Sequence, residues 1–315
     1  MLLQLIKRTF VFAVSLVLAS AVVFAFMVVL PGDPARVALG VQATPEALAA
    51  TRAEFGLDRP YVVQYADWVG GLLRGDFGRS YVTRSQIGPR LFDRLQVTAW
   101  LVVAGMLIAL VVALPLGILS AVRHRRLSGM ALSGAAQVGM AVPSFLAGIL
   151  LVSVVSVQLG LLPSGGWVAP IDDPVEFLRR LVLPALALGL VQGAVVTRYV
   201  RSAVLDVMRE DYVRTARAKG LGPYRALVKH GLRNAAIPVV TVLALQLATL
   251  LIGAVVVERV FVIPGLGSLL LDGVANRDLL LVQGVVMVLV VAVLLVNYLV
   301  DVLYTVLDPR LRRAG

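Results

Sequence analysis

Cysteine is absent from this 315-residue chain, which excludes disulfides, thiolate metal sites, iron–sulfur clusters and cysteine nucleophiles. Histidine is scarce: His124 and His230 are the two present, each among arginines or lysines, so no histidine cluster suits a metal. No Gly-Lys pair occurs anywhere, and without it there is no phosphate-cradling Gly-x-x-x-x-Gly-Lys-Ser/Thr loop with which this polypeptide could hold ATP. His-Glu-x-x-His and Gly-x-Ser-x-Gly are also missing, which argues against protease or esterase chemistry. Charge is sparse as well, at 15% of residues against 59% hydrophobic. With a mean hydropathy of +0.92, the chain reads as an integral membrane protein with no catalytic and no cofactor-binding residues.

What is present in abundance is long apolar runs. A span needs about 20 helical residues, and six uncharged stretches qualify: Thr9–Leu30, Val97–Val122, Leu127–Leu162, Leu181–Thr197, Ala235–Val257 and Leu279–Val300. The third is too long for one perpendicular crossing, so a bend near Pro143 and an exit into the turn Leu162-Pro163-Ser164-Gly165-Gly166 are expected. The first follows Lys7-Arg8 and exceeds a signal-peptide core, so it reads as an uncleaved anchor. The net charge of +11 would suggest nucleic acid in a soluble protein. Here the basic residues fall in short loops, at Lys7 and Arg8, at Arg123, Arg125 and Arg126, after the fourth span, and at Arg310, Arg312 and Arg313. That pattern places both termini and these loops in the cytoplasm, against membrane lipid rather than nucleic acid.

The expected division is therefore span one at 1–30, an outer insertion at 31–96, a five-helix core at 97–310 with a cytoplasmic loop at 198–235, and a tail at 311–315. In the insertion, Thr44-Pro45-Glu46 starts a helix that Gly56 stops, and a second runs from Asp58 to Gly75. Tyr61, Tyr65, Trp68 and Leu72 share one face of it, to be covered by the protein's own helices or, together with Asp76, by an external partner. Polar groups inside or at the ends of spans are few: Gln192, Gln246, Glu258, Asn297 and Asp301. Asp301 suits a structural pairing with a cytoplasmic-end arginine, whereas Gln246 could bond a neighbouring helix or line a pore.

The segment between the fourth and fifth spans is more elaborate than a connector needs. A helical pattern over Ser202–Lys219 breaks at Gly220-Leu221-Gly222-Pro223, and a second over Tyr224–Asn234 leads to Pro238. Gly220 suits a left-handed cap and Pro223 a first helical turn. The result is a bent elbow in which Leu205, Tyr212, Ala216 and Leu221 lie amid Arg209, Arg214, Arg217, Lys219, Arg225, Lys229 and Arg233. Its sharp corner, with Thr215 and Ala218 near the tip, suits docking into a cleft of another protein.

At this elbow the sequence resembles the permease subunits of bacterial ABC importers of the dipeptide, oligopeptide, glutathione and nickel family, first-permease type. The string Asp211-Tyr-Val-Arg-Thr-Ala-Arg-Ala-Lys-Gly-Leu221 resembles that family's form of the "EAA" loop, continued by His230-Gly-Leu-Arg-Asn-Ala-Ala-Ile-Pro238. Further matches are Leu30-Pro-Gly-Asp-Pro34, Gly56-Leu-Asp-Arg-Pro60, Gly75-Asp-Phe-Gly78, Val142-Pro-Ser-Phe145, Val255-Val-Val-Glu258, Pro264-Gly-Leu-Gly267, Val300-Asp-Val-Leu-Tyr304 and Leu307-Asp-Pro-Arg310. Arg214-Thr-Ala216 stands where the wider superfamily has Glu-Ala-Ala, a form common in the peptide branch, and Gln96 stands where a proline is usual. The resemblance implies an all-α, six-helix, type I importer permease fold with an extracytoplasmic helical insertion after helix 1. It implies half of a heterodimeric pore with a second, homologous permease. Two cytoplasmic ABC ATPases would carry ATP and Mg, and an extracytoplasmic binding protein would deliver peptide, or else a nickel chelate or glutathione. Tyr212, Arg214 to Leu221 and Arg225 would form the coupling helix. The residues leave two other readings open: an ion-coupled carrier built on Glu258, Asn297 and Asp301, and a nonconducting scaffold.

Overall fold

The computed structural model describes residues 2–29 and 32–307. The expected tail at 311–315, Asp308–Arg310 with the arginines at 310, 312 and 313, and Leu30-Pro31 of the first motif lie outside the described residues. Within them the chain is helical: α1 Leu2–Val29, α2 Pro34–Leu39, α3 Pro45–Glu54, α4 Tyr61–Leu73, α5 Ile87–Val122, α6 Leu127–Ala141 and α7 Ser144–Leu151. A π-helical stretch, Val152–Gln158, extends α7, and α8 Pro174–Met208, α9 Asp211–Ala218 and α10 Pro223–Ala226 follow. Leu227–Gly231, again π-helical, runs into α11 Leu232–Val260, and α12 Leu266–Ala275 and α13 Leu279–Leu307 complete the chain.

Five of these helices are long and apolar enough to span a membrane, and α6 with the extended α7 makes a sixth if that bent pair is one span. The pair is bent by 96° at Val142-Pro143, the expected place, because Pro143 has no N–H to continue the ladder. A bend of this size makes the pair either a broken span or a re-entrant loop. Other boundaries moved. α5 begins at Ile87, ten residues before its apolar run, since Pro89 is tolerated in the first turn and Arg90, Leu91, Arg94 and Leu95 favour helix. α4 starts at Tyr61 rather than Asp58, because Pro60 takes the N-cap in extended backbone. The expected helix Ser202–Lys219 is two helices: α8 ends at Met208, and extended Glu210 caps α9. Pro238 lies inside α11, and the apolar part of that helix, Pro238–Val260, starts at it as expected. The short helices α2 and α12 were not anticipated.

The chain divides into two compact units, one of residues 1–97 with 265–315 and one of residues 98–264. In the first, α1 packs along α13, with Phe12 stacked on Tyr298 at 4.8 Å, Thr9 bonded to Tyr298 at 2.9 Å and Arg8 paired with Asp301. Phe10, Val17, Val22 and Phe26 stay exposed, as a lipid-facing helix requires. Asp33 caps α2 and accepts from Arg52 at 3.0 Å, while Thr44 caps α3. Hydrogen bonding to Asp58, then the charge of Asp33, holds the Arg52 guanidinium above its ordinary value. The loop 79–86 is pinned by Ser80, which donates to buried Asp278, and by Tyr81 stacked on Phe55 at 4.4 Å. Burial, with Asp278 adding, pushes the Tyr81 phenol up, so it stays neutral at physiological pH.

In the second unit α8 is the central element, packed by α6, α7 and α11 and buried along most of its middle. Glycines allow α5 to approach it closely. A Cβ on Gly117 would stand 2.6 Å from Val200, and one on Gly189 2.6 Å from Ile108. This is the small-residue packing expected where lipid supplies no hydrophobic drive between helices. The turn after α7 closes on the end of α11: Gly166 N–H donates to the Phe261 carbonyl at 2.8 Å, and Arg180 donates to the Gly165 carbonyl at 2.8 Å.

Candidate coupling site

The elbow lies wholly in the second unit and is built from its own core outward. Val213 and Ala216 of α9, with Ala226 and Leu227 beyond the corner, are buried in one cluster with Val200, Val204 and Val207 of α8 and Ala235 and Val239 of α11. The corner is a Schellman cap: the Leu221 N–H donates to the Ala216 carbonyl at 3.2 Å, and the Gly220 N–H to Arg217 at 3.0 Å. Gly220 has φ +93°, as expected of its position, and Leu221 folds back on the cluster. Tyr212 accepts from Asn234 at 2.8 Å, tying α9 to α11. An eight-residue helix could not hold itself in water; this one is held by what it buries. Of the residues singled out from the sequence, Arg214, Thr215, Arg217, Ala218, Lys219, Gly220 and Arg225 are exposed, whereas Ala216 points inward and Leu221 is half-buried.

The polar groups near the spans do not converge. Gln192 donates to Gln246 across α8 and α11. Glu258, fully buried near the end of α11, accepts from Thr98 at 2.6 Å. Asp301 pairs with Arg8 in the other unit, and half-buried Asn297 lies one turn before it on α13. In the insertion, Tyr65 turns to its own bundle, bonding Ser20 at 2.8 Å and packing on Phe24 and Trp68. Tyr61, Trp68 and Asp76 instead line a cavity of about 470 Å³ with Arg52, Arg59 and Gln283. No group of three or more metal-ligating side chains occurs among the described residues.

The model of the binding-protein-dependent transport system inner membrane component matches residues 113–313, and that of the N-terminal part of such membrane components matches residues 1–102. The chain belongs to this family. The glutathione transport system permease proteins GsiC of Salmonella typhi and Escherichia coli are each 39% identical to it over 312 residues, 99% of this chain and 99% of each relative. The protein is thus a multi-pass inner-membrane permease subunit, non-catalytic, of an ABC importer of the peptide and glutathione family. Permeases of this kind act with ATPase subunits and binding proteins.

Several groups that hold these residues were not singled out by the sequence. Val213 carries the elbow's core, and its apolar character between Tyr212 and Arg214 was the signal available. Asn234 and Thr98 are partners supplied from distant positions and gave none. For the Gln192–Gln246 pair, a bond between helices in a membrane is worth about 0.6 kcal/mol on average. Gln192→Leu and Gln246→Leu should each lower the thermal stability of the purified permease, and the double variant should lose clearly less than the two losses added. Additive losses would mean the two amides act separately.

Proposed function

We propose that this permease forms half of the translocation pore of a di- or oligopeptide importer and that the α9–α10 elbow receives the stroke of separate ATPase subunits. The observation that carries this reading is the elbow itself, a basic corner whose exposed Arg214, Arg217 and Arg225 stand on a buried apolar base. A lever must be stiff to move other helices as a rigid body, and this base continues directly into α8 and α11. Closure of the ATPase pair would drag the corner and switch the pore between inward- and outward-facing states, with both termini and the elbow in the cytoplasm. In the extracytoplasmic insertion, the cavity-lining face at Tyr61, Trp68 and Asp76 would meet the binding protein. The ion-paired Asp301 and the Thr98-bonded Glu258 serve structure here, which leaves little for an ion-coupled cycle.

The test is co-expression with the neighbouring ATPases. Deletion of Lys219–Pro223, or Gly220→Leu, should abolish uptake while the permease still reaches the membrane; retained ATPase association and uptake would refute the assignment. Gly222→Ala is the control, since Gly222 has an ordinary φ and open space for a Cβ. Glutathione is the second reading of the substrate, favoured by the names of the relatives. Binding measurements on the cognate binding protein with dipeptides, oligopeptides and glutathione separate the two.

A further inference from the structure

Beside the elbow, on the same unit, lies a cavity of about 410 Å³ lined by Arg123, Arg125, Arg126, Arg209, Arg214 and Arg217 with His124. No acid lines it. Among the described residues one of these arginines has an ion pair, Arg214 with exposed Asp211 at 3.6 Å, which in water is worth little. Six exposed guanidinium groups gathered at one cavity make a local positive field that attracts an anion. The remaining wall is apolar: Val122, Leu205, Met208 and Pro223, of which Val122 ends α5 and Met208 ends α8, both membrane-spanning helices by length and composition. α6 starts directly after the lining residue Arg126 and exposes aliphatic side chains in its first turn, Leu127 at 81% and Met130 at 54%.

A charged floor at the end of two spans, opening onto exposed aliphatic surface, matches a molecule with an anionic head and hydrocarbon tails. We propose that this cavity binds the phosphate headgroup of an anionic phospholipid, whose acyl chains lie along Leu127 and Met130, and that the bound lipid braces the elbow. The arginines attract the phosphate by their positive charge at the membrane surface. The bracing role rests on the coupling reading above; the lipid site does not.

Native mass spectrometry of the permease with its ATPases, after exchange into mixtures of phosphatidylglycerol and phosphatidylcholine, reads the site directly. The wild type should retain phosphatidylglycerol selectively. Each arginine near the surface is worth roughly a fivefold factor toward anionic lipid, so Arg123→Gln/Arg125→Gln/Arg126→Gln should weaken that preference roughly 100-fold, and the triple lysine variant should keep most of it. Nanodiscs of phosphatidylcholine alone should lower substrate-stimulated ATP hydrolysis by the wild type, restored by phosphatidylglycerol. Unchanged retention in the glutamine variant, or wild-type retention without headgroup preference, overturns the site. Displacement of the lipid by millimolar inorganic phosphate overturns it too, since the cavity is then a general phosphate site. Loss of the ATPases from the glutamine variant with lipid retention intact shows instead that these arginines belong to the ATPase interface. Selective lipid binding with hydrolysis indifferent to lipid overturns the brace and leaves the coupling assignment to the Gly220 test.

Discussion

Gly165→Ala should prevent the permease from reaching its folded form, and the reason is backbone meeting backbone. A Cβ at Gly165 would stand 2.1 Å from the Phe261 carbonyl oxygen and 2.8 Å from its carbonyl carbon, far inside any van der Waals contact. A flexible side chain could swing aside; the last turn of α11 cannot. The same carbonyl accepts from Gly166, and Arg180 holds the Gly165 carbonyl from α8, so a shift that relieves the clash also breaks polar links in the turn. Overpacking typically costs 1–3 kcal/mol, and each hydrogen bond lost adds about 1 kcal/mol, together about 3–5 kcal/mol. Fluorescence-detected size exclusion of the detergent-extracted protein should show the monodisperse peak reduced to a small fraction of the wild type. Gly134→Ala is the comparison: a Cβ there meets nothing within 4 Å in the middle of α6, so its stability should be equal or slightly higher. Equal behaviour of the two variants would show that the 162–166 turn does not close on α11.

The difference between these two glycines could not be read from the sequence, and that boundary recurs through the molecule. Local stereochemistry was legible. Pro143 breaks its helix, Thr44-Pro45 starts one, and Gly220 and Pro223 make the corner, because each effect is carried by one residue's own φ or missing N–H. The apolar runs were legible for a different reason, since length and composition alone mark a segment that can cross a bilayer. The break at Arg209-Glu210 was not, since it involves neither glycine nor proline and the helical period runs straight through it. Nor were the partners in the long-range pairs. Asp301 was expected to take a cytoplasmic-end arginine, but that this arginine is Arg8, and that Ser80 meets Asp278, follows only from α1 and the 79–86 loop folding against α13 and its N-terminus. At the elbow, sequence separated helix from corner but not inward from outward. Ala216, counted there among the coupling residues, belongs to the base, and the arginines of the 123–126 loop, which indicated only orientation, turn out to share a cavity with Arg214 and Arg217.

Val213→Asp should uncouple ATP hydrolysis from uptake. Val213 has no solvent exposure, and its neighbours in the cluster are Val207, Ala216, Ala226 and Leu227, none of which can accept or donate through a side chain. A carboxylate forced among them is an uncompensated buried charge, a cost of about 3–5 kcal/mol. α9 has little else to resist it: one turn-closing cap, one hydrogen bond from Asn234, and too few residues to stay helical when detached. The cheapest escape is therefore local, with α9 lifting from α8 while the spans, which bury none of this charge, remain packed. A penalty of about 3 kcal/mol corresponds to roughly a 100-fold smaller population of the seated elbow, so reconstituted uptake should fall by that order while the partner ATPases keep their basal rate. Val213→Ala removes only two methyl groups and should cost about 1–2 kcal/mol, with a correspondingly smaller fall. Arg217→Ala separates being held from making contact: it is exposed, so the elbow should stay seated and protease-resistant while ATPase association weakens. If Val213→Asp instead transports normally, the buried base is dispensable, and the elbow cannot be the rigid element through which force reaches the pore.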